Sequence, residues 1–239
     1  MGKINFEERA VAFIDVLGFK SVVGKGVEDN YKLLEELVCT LETAVPKLNE
    51  SVASDVSNEL IPKHFYISDC IILSAPLTAN SDENYCGLDI VIMRAIQLTH
   101  IFLCKGYLIR GGISIGHLWH TESNIIGPAY QEAYSIETKT KAPRIELSDA
   151  AKTYWKNRNK NPSIPNYMCL PYDERFMVNG LHDYYIQADK KPKEVFKKYA
   201  STVEENIKSA DDDKVKCKWS WFENFLKSES ARNKHMISR

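Results

Sequence analysis

Val11-Ala12-Phe13-Ile14-Asp15-Val16-Leu17-Gly18-Phe19 is an apolar run that contains one acid and closes on a glycine turn. Val11 to Val16 reads as a buried strand, and Leu17-Gly18-Phe19 as a tight turn into a helix. A carboxylate inside such a strand is costly unless it is paired, hydrogen-bonded or bound to a metal ion. A second acid, Asp69, stands between the strand-like runs Lys63–Ile67 and Cys70–Ser74, which Ser68 and Asp69 join as a tight hairpin. Two carboxylates at neighbouring strand ends suit a pair of hard divalent ions together with substrate phosphates. Asp15 is equally readable as a helix cap after the strand, and Asp69 as an ordinary turn residue. Spacing alone leaves both readings open.

Outward from this pair, Asn30 caps a helix to about Thr43, with Leu33, Leu34, Leu37, Val38 and Leu41 on one face. Asn49 to Asn58 is a polar loop, and a second long helix runs from about Tyr85 to Cys104. Ile109–Ile115 is a strand with two glycines where backbone or ligand approaches closely. Gly127-Pro128 opens another helix. Pro143–Leu147 is a short strand, and Ser148 caps the helix after it. Beyond about Asn157, the Asn-, Lys- and Pro-rich stretch through Pro171 reads as a surface excursion. Late strands are expected at Phe176–Asn179 and Tyr184–Ile186, and helices at Pro192–Ile207 and Trp219–Leu226. Strands and helices mixed in this order predict an α+β sandwich. The division is residues 1–157 as a core and 158–239 as an extension packed on the same domain.

The composition excludes several function classes. At 239 residues, 44% hydrophobic and 26% charged, the chain can bury a sizeable core. A net charge of −1 with scattered Lys and Arg speaks against nucleic acid or an anionic membrane as partner. The apolar run at Ile101–Ile109 is too short to span a bilayer. The first ten residues are polar and charged, unlike a secretory leader. Six cysteines without a CxxC or a zinc-ligand spacing fit a reduced, cytoplasmic protein.

Four blocks in order carry a resemblance. Phe13-Ile-Asp-Val-Leu-Gly-Phe19 resembles the first metal-binding segment of class III adenylyl and guanylyl cyclases. Tyr66-Ile-Ser-Asp-Cys70 resembles their second metal hairpin, with Ser68 where glycine is usual. Leu108-Ile-Arg-Gly-Gly-Ile-Ser-Ile-Gly116 resembles their Arg-x-Gly-Ile strand. Gly127–Glu137 followed by Pro143–Ser148 resembles their dimer helix and the strand after it. The resemblance implies the class III nucleotidyl cyclase fold, a ferredoxin-like βαββαβ core, here with a C-terminal elaboration. It implies two Mg²⁺ or Mn²⁺ ions per active site on Asp15 and Asp69, with the Val16 carbonyl as a further ligand. It also implies a phosphate cradle from the amides of Leu17, Gly18 and Phe19. The active site would lie between the two subunits of a homodimer.

The departures point to a branch. The base-reading Lys or Glu of purine cyclases falls at Phe65, and the catalytic Asn and Arg of the dimer helix fall at Gln131 and Ser135. Gln131 keeps the means to orient ribose; Ser135 supplies no transition-state charge. Arg110 is the first candidate for a phosphate-binding cation, ahead of Lys20, Lys63 and Arg144. Tyr130 and Tyr134 are placed either to stack on a base or to pack the dimer interface. His117 and His120 sit too close along one strand to form a metal site.

Together these residues look like the pyrimidine cyclases of bacterial Pycsar antiphage defence. That resemblance implies UTP as substrate, cyclic UMP and pyrophosphate as products, and a separate effector activated by the cyclic nucleotide. UTP stands before CTP on the size of the uridylate group, not on a residue. After cytidylate cyclase, the alternatives are a purine cyclase, a catalytically silent nucleotide-binding module and an unrelated metal-dependent phosphohydrolase.

Overall fold

The structure, a computed structural model, describes residues 4–24, 27–50, 56–159, 166–182 and 192–237. The strand expected at 184–186 lies outside them, as does the side chain of Lys20.

The strands are β1 (Glu7–Val16), β2 (Lys63–Ile67), β3 (Cys70–Pro76), β4 (Ile109–His120), β5 (Ile125–Ile126), β6 (Ile145–Leu147), β7 (Cys169–Tyr172) and β8 (Arg175–Val178). They form one sheet in the order β2-β3-β1-β4-β6-β8-β7, with β5 paired to β4. Among the described residues, only β4 and β6 pair in parallel. The helices are α1 (Phe19–Gly24), α2 (Val27–Glu50), α3 (Gly87–Cys104), α4 (Pro128–Lys139), α5 (Asp149–Arg158), α6 (Pro192–Ser209) and α7 (Asp213–Ile237). The α+β expectation holds.

Alternation along β1 decides which side carries the chemistry. Ala10, Ala12, Ile14 and Val16 enter the main core with α2, α3 and α5. Val11 and Phe13 point the other way, into a smaller cluster with Ile72, Leu118, Ala129 and Ala133 beneath α4. Asp15 continues that second row and shares its face. A third cluster joins α6 and α7 to the end of α3 and to Leu108 at the foot of β4. α3 is long and apolar enough to cross a membrane, but most of it is buried in the core.

Several elements differ from expectation for identifiable reasons. α2 runs on to Glu50 through Pro46, because Ala44, Val45 and Leu48 beyond Thr43 are all buried; packing overrides the helix-breaking tendency of proline. β1 begins at Glu7, since Arg9 is buried yet satisfied by Ser74 and Glu7. Cys169–Tyr172, expected on a surface excursion, is a strand paired to β8. Ser148 caps α5 as expected, its side chain accepting from the Ala151 amide at 3.1 Å. The six cysteines are all free.

Gly111 and Gly112 fit β4 between two layers. A Cβ on Gly111 would lie 2.4 Å from the Phe13 carbonyl oxygen; on Gly112, 2.3 Å from that of Ala133 and 2.7 Å from Ile136 Cβ. α4 therefore rests directly on the backbone of β4. Gly112→Ala should destabilise the protein by about 1–3 kcal/mol through overpacking, read as a lowered denaturant midpoint. An unchanged midpoint would mean that α4 is not seated on that glycine.

Candidate active site

The register of the sheet builds the site. Asp15 pairs with Cys70 on one side and with Arg110 on the other, so the three side chains form one row across β3, β1 and β4. Ile67 pairs with Cys70, leaving Ser68 and Asp69 as a two-residue turn with Ser68 at φ 57°. Glycine adopts that conformation more easily, and Ser68 stands where the resemblance expects glycine. The Val16 amide donates to the Asp69 carbonyl at 3.0 Å. That bond ties the hairpin tip to the end of β1 and brings the second aspartate to the first. Carboxylate oxygens of Asp15 and Asp69 and the sulfur of Cys70 all lie within 4.8 Å of one another.

Arg110 closes the row from the far side. Its Nε donates to Asp15 Oδ2 at 3.0 Å and lies 2.7 Å from Glu137 Oε1, while an Nη donates to the Thr140 carbonyl at 3.3 Å. Asp15 is 14% exposed and Arg110 25%. Burial raises the Asp15 pKa to about 6; Arg110 opposes the rise, and Glu137 and Asp69 add to it. The Cys70 thiol is pushed up to about 12, first by burial and then by Asp15, Asp69 and Glu137. It stays protonated at neutral pH and is a poor ligand for a hard cation. The two carboxylates, by contrast, are a donor set that fits magnesium or manganese.

The remaining expected residues fall into three groups. Phe65 on β2 and Tyr130 on α4 both pack against the cluster beneath α4, on the face that carries Asp15. The Tyr130 ring lies 5.9 Å from Phe13, and burial raises its pKa. Gln131 and Tyr134 stand exposed on α4, with the Tyr134 ring 5.2 Å from Phe13. The turn residues divide: Leu17 packs toward the α6–α7 cluster and Phe19 toward the main core.

The Leu17 amide donates to the Leu108 carbonyl at 2.8 Å, so the first amide of the expected phosphate cradle is already engaged. Arg110, expected as a phosphate cation, is engaged too, by Asp15 and by α4. Lys63 donates to the His120 carbonyl at the far end of the hairpin, and Arg144 pairs with Glu146. His117 contacts Glu8, and His120 is buried against Ser74.

Sequence reasoning missed Glu137 and Cys70 as members of the site. Cys70 was less hidden, since it directly follows Asp69, but its place opposite Asp15 comes from the pairing of β1 with β3, which the hairpin does not set. Glu137 needed the seating of α4, which the sequence does not give.

No protein-family profile matches the sequence, and no curated protein matches it. Solved structures do match. One is the monomeric guanylyl cyclase domain of the RhoGC fusion protein from the aquatic fungus Blastocladiella emersonii, with TM-score 0.50 and 16% identity, covering 72% of this chain and 95% of that one. Another is a double mutant of the same domain, with TM-score 0.51 and 16% identity, covering 72% and 94%. The chain has the fold of a nucleotidyl cyclase domain. At this identity the likeness speaks for the fold, which is the one implied by the four sequence blocks.

The raised Asp15 pKa has a defined sign. The folded, metal-free protein holds that proton more tightly than the unfolded chain, whose value is near 3.8. This group's contribution therefore lowers stability as pH rises from about 4 through 6. Thermal melts in chelator across that range should show the loss, and Asp15→Asn should remove it. Equal pH slopes for the two proteins would contradict the burial of this carboxyl.

Proposed function

We propose that the chain is a pyrimidine nucleotide cyclase that closes UTP to 3′,5′-cyclic UMP and releases pyrophosphate. The observation that carries this reading is the meeting of Asp15 and Asp69 on the α4 side of a cyclase-type sheet. Two divalent ions bound there would lower the pKa of the ribose 3′-hydroxyl and neutralise the triphosphate. Asp15 and Asp69 would hold those ions, with the Val16 carbonyl as a further ligand. Arg110 would keep Asp15 oriented at the end of its strand. Ring closure joins the 3′-oxygen to the α-phosphorus and breaks the bond to pyrophosphate; the hydroxyl proton leaves to solvent.

Pyrimidine use is supported by Phe65. It offers no hydrogen bond to a base edge, and it flanks the same apolar cluster as Tyr130. An apolar surface of this kind takes a small ring without leaving polar groups of the protein unmet. Dimerisation is supported by the exposure of Gln131 and Tyr134 on α4. In this reading Gln131 of one subunit orients the ribose held by the other. Action in the cytoplasm, on a separate effector of antiphage defence, rests on the motif resemblance alone.

Offered UTP, CTP, ATP and GTP together with Mn²⁺, the protein should yield cyclic UMP first and cyclic CMP second by mass spectrometry. Asp15→Asn and Asp69→Asn should each lower turnover at least about a thousandfold, in line with the loss of metal-assisted activation. A clear preference for a purine triphosphate would remove the pyrimidine assignment. Monophosphate product would instead identify a phosphohydrolase.

Sharing of the site has its own test. Subunits carrying Asp15→Asn, mixed with subunits carrying Gln131→Ala, should recover activity in exchanged dimers, because one of the two sites would be intact. Exchange without recovery would place Gln131 on the same subunit's site or outside it.

A further inference from the structure

We propose that Lys218, carried on α7 by the C-terminal extension, binds the polyphosphate chain of the nucleotide at the Asp15–Asp69 site. The inference rests on the reading that this site takes a nucleoside triphosphate.

The placement follows from packing. Trp219, the next residue on α7, is buried with Leu108, Phe196, Val203 and Phe222. Leu17 packs on the same cluster, and its amide bonds the Leu108 carbonyl. Leu17 lies two residues after Asp15, and Leu108 two residues before Arg110. The turn of α7 that carries Lys218 thus shares a cluster with the residues that flank the two strand ends carrying Asp15 and Arg110. The ammonium feels both groups: burial and then Arg110 lower its pKa, and Asp15 opposes them.

Lys218 is half-buried, yet among the described residues it has no ion pair and no hydrogen bond. Keeping an ammonium partly desolvated without an anion is unfavourable. Arg110, the cation that acts on it most strongly, is already committed to Asp15, Glu137 and Thr140. A lysine in this position supplies a point charge to phosphate oxygens without the fixed fork of an arginine. Nothing along the chain marks it out, because it lies outside the four blocks and beside the exposed lysines Lys214 and Lys216.

The test uses the full chain and inorganic tripolyphosphate with Mn²⁺, measured by calorimetry. Lys218→Met keeps the aliphatic stem and should weaken binding about tenfold or more, as expected for a lost charge-assisted contact. Lys218→Arg should recover most of it. Lys216→Met, an equal charge change at an exposed position, should leave it unchanged. In turnover, Lys218→Met should raise KM for the triphosphate more than it lowers kcat, with affinity for the cyclic product preserved.

Tripolyphosphate binding by Lys218→Met as tight as the parent's, or equal weakening by Lys216→Met, would overturn the proposal. A parent that binds Mn²⁺-tripolyphosphate but forms no cyclic nucleotide would overturn the cyclase reading instead, and the Lys218 comparison would still decide this one. A parent that does not bind it overturns both. Matching helical circular dichroism and melting of the variants excludes misfolding as the cause.

Discussion

Arg110 reaches three partners on two elements: Asp15 at the end of β1, and Glu137 and the Thr140 carbonyl at the end of α4. Without it, two carboxylates would face each other in a partly dry corner, with Asp69 as a third nearby. Such a cluster repels itself and holds protons. The guanidinium offsets part of that repulsion and fastens the C-terminal end of α4 to the sheet. The lower part of the same helix is fixed differently, by Ala133 and Ile136 lying on the bare backbone of Gly112. One strand therefore seats α4 twice, through a missing side chain and through a charged one. The adjacent Arg110-Gly111-Gly112 residues serve distinct parts of the same task.

The acids lie where three packing regions meet. β1 sends alternate residues to the main core and to the cluster beneath α4, and Leu17 just past its end joins the α6–α7 cluster. A displacement of any of these layers would be felt at Asp15, whose strand is hydrogen-bonded on both edges. Rigid support of this kind is what a site needs when its groups must be held to fractions of an ångström. Asp69 is on a turn, but the bond from the Val16 amide gives it the position of a strand residue. The positive φ at Ser68 belongs to the same device: the tight turn lets the tip reach back to β1.

What was legible in the sequence was local. The hairpin, the Gly-Pro helix start and the Ser148 cap are written in neighbouring residues, and each stands where it was expected. The ends of elements were less legible, because burial rather than local preference sets them. Arg9 enters β1 as a charged residue made acceptable by Ser74 and Glu7, and α2 continues past Pro46 because its next turn is buried. The two acids were legible as candidates; their closeness was implied by the motif resemblance and depends on the pairing of β1 with β3. The engagement of Arg110 and of the Leu17 amide was not legible. Both depend on groups far along the chain, Glu137 and Leu108, whose approach is a property of the packed fold.

The departures from a purine-type site share one physical direction. Against the purine-cyclase pattern that the sequence blocks resemble, Phe65 flanks an apolar cluster where that pattern has a polar base reader, and Ser135 stands where it has an arginine. An apolar surface discriminates weakly among ligands that merely fit, whereas a polar group left unmet discriminates strongly. In the proposed reading, selectivity would therefore come from the room beside Phe65 and Tyr130 and from backbone groups around it. Charge follows a parallel logic. With no arginine at position 135 and with Arg110 bound to acids, a triphosphate bound as proposed would meet no unengaged cation among the described residues that the motifs mark. α7 brings Lys218 to that edge from outside those motifs. In the proposed reading, an extension that shares a cluster with Leu17 and Leu108 would supply a charge where the resembled pattern has Arg at position 135, because those two residues flank the strand ends that carry Asp15 and Arg110.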